Sequence, residues 1–321
     1  AESPGPIKSK LVPRVGGTAK ILYTIYIVLT AAEAVALRIA GMSWFDAVNH
    51  AFTTMATGGF SVRNTSISSY QSDAITWVII VFTFLAGINF SLLYAVVRGR
   101  IKDALRSEEL RWYLLILAIT ITLICVDLHV ELGQGWYESA KDAAFQATTI
   151  MSTTGYATKD FTLWPTFSRC ILVLLMYVGG CAGSTAGGMK VSRLMLQVKS
   201  LRRELDHIIH PNRVSVITMD GQSVDERAVT SAHMFQVAYL LVLMAGTLVV
   251  SLDVLGFTES FVASLTCVSN VGPSLGALGP MANFAPLSWF SKLVLTLIML
   301  MGRLELMPLL VLLSPSTWRN K

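Results

Sequence analysis

Residues 74–97 run for 24 positions without a charged side chain. A helix of that length crosses a hydrocarbon core about 30 Å thick. Weaker apolar runs lie at 21–40, 112–126, 170–189, 235–252 and 293–313. Between two such runs stands Thr53-Thr-Met-Ala-Thr-Gly-Gly-Phe-Ser61, with two glycines and four hydroxyl side chains. Irregular backbone survives at membrane depth only where protein buries it or where it lines a watery cavity. The chain is 53% hydrophobic and 14% charged, against roughly 25% charged in soluble domains. These features predict an all-α polytopic membrane protein.

The net charge is +5, which in a soluble chain would suggest nucleic acid. Placement argues against that partner. Eighteen of the 25 Lys and Arg fall in 8–20, 98–111, 190–227 and 319–321, and six fall in the alternate segments. This is the positive-inside pattern, and it predicts that both ends and the longest polar loop are cytoplasmic. Acids gather on the other side: Asp127, Glu131, Glu138, Asp142, Asp160, Asp253 and Glu259. Cys125, Cys170, Cys181 and Cys267 lie in or beside apolar runs without metal-type spacing and read as small core residues. The sequence carries no cofactor motif.

The chain repeats itself. Asp46-Ala-Val-Asn-His-Ala-Phe-Thr-Thr-Met-Ala-Thr-Gly-Gly59 aligns without gaps on Asp142-Ala-Ala-Phe-Gln-Ala-Thr-Thr-Ile-Met-Ser-Thr-Thr-Gly155, and seven of fourteen positions agree. An aromatic follows each, Phe60 and Tyr156. A fainter copy, Glu259-Ser-Phe-Val-Ala-Ser-Leu-Thr-Cys-Val-Ser-Asn-Val-Gly272, keeps the acid, Thr266 and the glycine before departing at Pro273. Each block is too short to cross a membrane and is flanked by apolar spans. The predicted unit is a span, a re-entrant half-helix ending at the glycine, a loop and a second span. Three units are predicted, at 17–109, 110–200 and 227–321, with a cytoplasmic linker at 1–16 and a cytoplasmic loop at 201–226. Re-entrant loops around one axis usually close as four, so a fourth unit is expected to be absent from this chain.

Glycine reaches positive φ without steric cost, which lets successive carbonyls turn toward a common axis. Rings of backbone carbonyls can replace the hydration shell of a potassium ion. No acid lies within 57–61, 153–157 or 270–274. The field on an ion would then come from carbonyl dipoles and half-helix C-termini. Asp46, Asp142 and Glu259 are expected to cap the half-helix N-termini.

Thr57-Gly-Gly-Phe-Ser61, Thr153-Thr-Gly-Tyr-Ala157 and Asn270-Val-Gly-Pro-Ser274 resemble filter loops two, three and four of the Trk/Ktr/HKT superfamily of potassium transporters. The likeness covers essentially the whole chain and is nearest to TrkH-type pore subunits of the bacterial Trk system. It implies four span–loop–span repeats around one potassium pathway, with repeat one absent. By position it makes Gly59, Gly155 and Gly272 the filter glycines, with carbonyls from Thr57, Gly58, Thr153, Thr154, Asn270 and Val271. Potassium is then the substrate at those carbonyls. One matching glycine per loop, where a full potassium-channel signature has two, implies fewer well-formed ion sites. The likeness further implies a bacterial inner-membrane location, a homodimer and a cytosolic nucleotide-binding regulatory ring of the TrkA type.

The run 170–178 leads into Gly179-Gly-Cys-Ala-Gly-Ser-Thr-Ala-Gly-Gly188. Five glycines in ten residues should break a helix, each costing about 1 kcal/mol relative to alanine, and a broken helix at mid-membrane flags an ion pathway. A small-residue packing face is the plainer alternative. A nucleotide phosphate loop is excluded, because no Lys-Ser/Thr follows Gly188 directly. The resemblance makes 179–188 an intramembrane loop under the filter, with Gly179, Gly180, Gly183, Ser184, Thr185, Gly187 and Gly188 as gate residues. Arg303 interrupts the last apolar run, and a charge there needs a partner. Glu305 is two positions away, on another side of a helix. Arg303 is therefore expected to face the pore, bond carbonyls of the 179–188 loop and repel cations.

Residues 191–205 could continue the broken span as an amphipathic helix. His207 and His210 read as surface residues. Asp220-Gly221 predicts a tight turn in a hairpin of 214–219 with 223–224. The basic residues at 98–111 suit anionic lipid. Two other classes compete with this reading. A sodium- or proton-coupled symporter would need a buried acid at the site, and Glu33, Asp127 and Glu305 all lie away from the loop glycines. An intramembrane enzyme would need a nucleophile–base pair or a metal site, and none of the five histidines supplies one.

Overall fold

The computed structural model describes residues 15–212, 215–253, 255–313 and 318. Residues 1–14 of the expected linker and the basic tail at 319–321 lie outside the described residues.

The chain is helical apart from one short hairpin among the described residues. The first unit comprises α1 (Val15–Ile39), α2 (Trp44–Met55), α3 (Asp73–Ala86) and α4 (Phe90–Val97). A short α5 (Ile101–Arg106) leads to the second: α6 (Glu108–Leu132), α7 (Trp136–Met151), α8 (Thr166–Val178) and α9 (Val191–Ile209). The strands β1 (Thr218–Met219) and β2 (Gln222–Ser223) pair antiparallel before the third unit. That unit contains α10 (Glu226–Val250), α11 (Phe257–Ser269), α12 (Trp289–Arg303) and α13 (Leu306–Leu313). Among the described residues, three helices are long and apolar enough to cross a membrane, or up to five if each bent pair is one span.

The half-helices α2, α7 and α11 each pack against the long helix before them. Their burial differs. Residues 142–151 of α7 are all buried, whether polar or apolar, because α7 packs against α3 of the first unit as well as α6 and α8 of its own. Trp44, Phe45 and Phe52 of α2 stay exposed.

Uncharged residues at 74–97 predict one straight span, and the structure corrects this. α3 and α4 meet at 103° across a short break. α12 and α13 likewise meet at 114°, so all three second spans are interrupted, not only the one at 179–188. The freed polar groups find partners, as membrane depth requires. The Gly87 carbonyl accepts the Cys181 amide at 3.0 Å, and the Phe90 amide donates to the Gly183 carbonyl at 3.1 Å. The Asn89 side chain accepts the Ser91 amide at 2.8 Å and caps α4.

Between α9 and α10, the turn falls where Asp220-Gly221 predicts it, with φ 51° and 77° at the two residues. The strands are shorter than expected, and Val214 lies outside the described residues. The amphipathic continuation of the broken span runs on to Ile209.

Candidate functional site

All three half-helices end in the same way. Thr53, Thr149 and Thr266 occupy matching positions one turn before the C-terminus. The Thr53 carbonyl accepts the Gly58 amide at 2.7 Å, that of Thr149 the Thr154 amide at 2.8 Å, and that of Thr266 the Val271 amide at 2.9 Å. This is the six-to-one bond of a Schellman cap. The cap requires a left-handed residue just before it, and Thr57, Thr153 and Asn270 have φ of 51°, 59° and 59°. Two residues on, Gly59, Gly155 and Gly272 are also left-handed, at 66°, 82° and 109°. Each loop therefore alternates left-handed, ordinary, left-handed, and its carbonyls do not follow one helical direction.

The loops meet. A side chain at Gly59 would collide with the Thr154 carbonyl, and one at Gly155 with the Val271 carbonyl and the Pro273 ring. Thr154 and Val271 hold the same register position in successive units. Each glycine thus abuts the corresponding main-chain oxygen of the next loop. Among the described residues, none lies within 4 Å of a side chain built at Gly272.

Behind the loops lies a polar scaffold. The Tyr156 hydroxyl is 2.6 Å from the Thr53 hydroxyl and donates to the His50 carbonyl at 3.2 Å, so the second unit's loop is tied to the first unit's half-helix. The buried His50 ring bridges the Asp46 carbonyl at 2.7 Å and the Ser61 hydroxyl at 3.0 Å.

The three acids expected as caps behave differently. Glu259 does cap α11: it accepts the Gly256 amide at 3.2 Å and also the Ala277 amide at 2.9 Å. Asp46 lies in the first turn of α2, but Ser43 is the cap. Burial works against the Asp46 charge, and the Tyr70 hydroxyl at 2.9 Å and Arg63 at 3.4 Å outweigh it, holding this carboxyl below its ordinary range. Asp142 is a correction. α7 begins six residues earlier, at Trp136, so Asp142 sits mid-helix and pairs with Lys159 at 2.6 Å.

Residues 179–190 form a loop between α8 and α9, pressed against all three glycine loops. The Thr57 hydroxyl donates to the Thr185 carbonyl at 2.8 Å. The Gly187 amide donates to the Thr153 hydroxyl at 2.6 Å. A side chain at Gly187 would strike the Ser269 carbonyl at 2.5 Å. Gly179, Gly183 and Gly188 have φ of 73°, 70° and 73°, and Gly180 packs on Ala186. Ser184 bonds the Cys181 carbonyl at 2.6 Å, within the loop. Sequence reasoning missed the second role of Thr57 and Thr153, whose hydroxyls join the glycine loops to the loop beneath them.

Arg303 ends α12, and its guanidinium donates to the Thr185 carbonyl at 2.8 Å, the same oxygen that Thr57 uses. Glu305 pairs instead with Arg193 of α9 at 2.8 Å. Beside this contact a cavity of about 610 Å³ is lined by Leu22, Tyr23, Tyr26, Phe90, Ser184 and Thr185. Among the described residues no cluster of His, Cys, Asp and Glu could hold a metal ion.

The sequence profile of TrkH, described as a cation transport protein, matches residues 2–320. The Trk system potassium uptake protein TrkH of Salmonella typhimurium is 37% identical over 326 residues, covering 100% of this chain and 66% of the relative. Its Escherichia coli K12 namesake gives the same identity and coverage. The crystal structure of the potassium transporter TrkH from Vibrio parahaemolyticus superposes with a TM-score of 0.88 at 35% identity, over 96% of this chain and 66% of that one. The chain thus spans just under two thirds of the relatives it matches. With the profile matched from end to end and the helical architecture shared, this multi-pass membrane chain belongs to the TrkH family of cation transport proteins.

Proposed function

We propose that the chain forms the conducting part of a potassium uptake protein, in which main-chain oxygens of the three glycine loops replace water around the ion. One observation carries this reading: Gly59 abuts the Thr154 carbonyl and Gly155 the Val271 carbonyl, so irregular backbone from separate units converges at one place. Carbonyl dipoles in that setting suit a monovalent cation. The names of the relatives support potassium as that cation.

The loop at 179–190 and Arg303 act as the gate. Contacts to Thr57 and Thr153 support a blocking position directly beneath the glycine loops, and the guanidinium at the Thr185 carbonyl adds positive charge on the ion's route. Removing that charge lowers an electrostatic barrier. Arg303→Ala is expected to raise rubidium flux severalfold in liposomes at matched protein density. Unchanged or reduced flux would contradict the barrier.

The working protein sits in a bacterial inner membrane with both chain ends cytoplasmic, pairs as a homodimer, and takes a nucleotide-binding regulatory subunit of the TrkA type on its cytoplasmic side. The basic segments support this orientation, and the regulatory partner is carried from the family likeness. A cation symporter with another coupling ion is the alternative. Sodium and proton dependence of rubidium uptake separates the two.

A further inference from the structure

The 179–190 loop is held from behind by a residue with no part in the pathway described above. Glu109, in the first turn of α6, is only 8% exposed, and its carboxylate accepts the Ala182 amide at 2.7 Å. Ser192 lies beside the same carboxylate, with the Lys190 ammonium nearby. Ser192 is the second residue of α9, whose first turn has no side-chain cap of its own. A carboxylate at a helix N-terminus satisfies orphan amides and the helix dipole together. Ala182 lies near one end of the loop and Ser192 just past the other. One buried carboxylate therefore spans the loop's neck, which the Val191 amide also closes onto the Gly180 carbonyl at 2.9 Å.

The neighbouring residue looks the other way. The Glu108 amide donates to the Asp220 carboxylate at 2.7 Å, at the tip of the β1–β2 hairpin. The Glu108 side chain pairs with Lys199 of α9, and Lys199 also bonds the Thr218 carbonyl of the hairpin at 2.6 Å. One helical turn thus touches the loop on its inner side and the hairpin on its outer side.

We propose that the first turn of α6 is a latch: Glu109 is a positioning residue that holds the loop in its blocking place, and Glu108 links that hold to the hairpin tip at Asp220. A force that moves the hairpin shifts this turn and loosens the loop. The inference rests on the loop being the gate, and its test separates the two.

Cys181 is fully buried within the loop, beside the amide that Glu109 holds. With Cys125→Ala, Cys170→Ala and Cys267→Ala, and any cysteine outside residues 1–321 likewise replaced, it becomes the single thiol. Its rate of modification by a small methanethiosulfonate reagent is read in liposomes, together with rubidium flux. Glu109→Ala should raise the labelling rate on the order of tenfold, the scale set by losing a hydrogen bond to a charged group. Glu109→Gln, which keeps an acceptor, should raise it less, and Asp220→Ala should raise it in the same direction. If Glu109→Ala does not fold, the other two variants carry the test. Labelling at the parent rate in Glu109→Gln and Asp220→Ala would overturn the latch. Raised labelling supports the latch whatever the flux does, and unchanged flux alongside it would count against the gate alone.

Discussion

The loops at 153–157 and 270–274 share one backbone and differ in what surrounds it. In the first, a side chain at Gly155 would meet the Val271 carbonyl and Pro273, and Tyr156 docks on the neighbouring half-helix through Thr53. In the second, Pro273 replaces the aromatic and sets its ring against Gly155 of the preceding loop. The shared part comes from the Schellman cap on Thr149 or Thr266, which is local to each half-helix. The difference comes from the neighbours. Backbone shape at this site is set within a unit, whereas tolerance to substitution is set between units.

That contrast is broken most sharply at Gly155. Gly155→Val adds a collision with main-chain atoms to left-handed strain of about 1–3 kcal/mol. Rubidium flux is expected to fall to background and selectivity over sodium to vanish, measured in liposomes at matched insertion. Retained selectivity would remove Gly155 from the filter.

The alanine pair comes next. Gly59→Ala meets the Thr154 carbonyl, whereas Gly58→Ala, one position back and outside the left-handed region, meets only the side chain of Phe60 within its own loop. Gly59→Ala should lose most flux, and Gly58→Ala should keep a measurable fraction of it. Equal losses would mean that contact between the loops does not matter.

Tyr156→Phe removes a hydroxyl bonded to the Thr53 hydroxyl and the His50 carbonyl. A neutral buried hydrogen bond is worth about 1 kcal/mol. A drop in thermal midpoint of a few degrees with intact selectivity is expected by thermal-shift measurement. The smallest effect belongs to Asn270→Gly. Asparagine already tolerates the left-handed conformation, so flux and midpoint should stay near the parent values.

Much of this contrast was legible in the sequence. Alignment of residues 46–59 on 142–155 points to the half-helices and the glycines, and the glycine count at 179–188 points to the broken span. The left-handed threonines were not legible, because Thr57 and Thr153 adopt that conformation under a cap bond from the residue after each to the carbonyl four residues before it. The breaks after Ala86 and Arg303 were hidden for another reason. Their apolar runs continue across the bend, and what stabilises the first is the distant loop accepting and supplying backbone hydrogen bonds at Gly87 and Phe90. Partner choice was equally opaque. The spacing separates Arg303 from Glu305 but does not indicate Arg193 as the acid's partner.

Rubidium located by anomalous scattering in crystals of the protein tests directly whether main-chain oxygens of these loops hold the ion. The account predicts a peak coordinated by the carbonyls of Thr154 and Val271, among those of the three glycine loops. A peak confined to the cavity beside Tyr26 and Thr185, with none at those carbonyls, would contradict it.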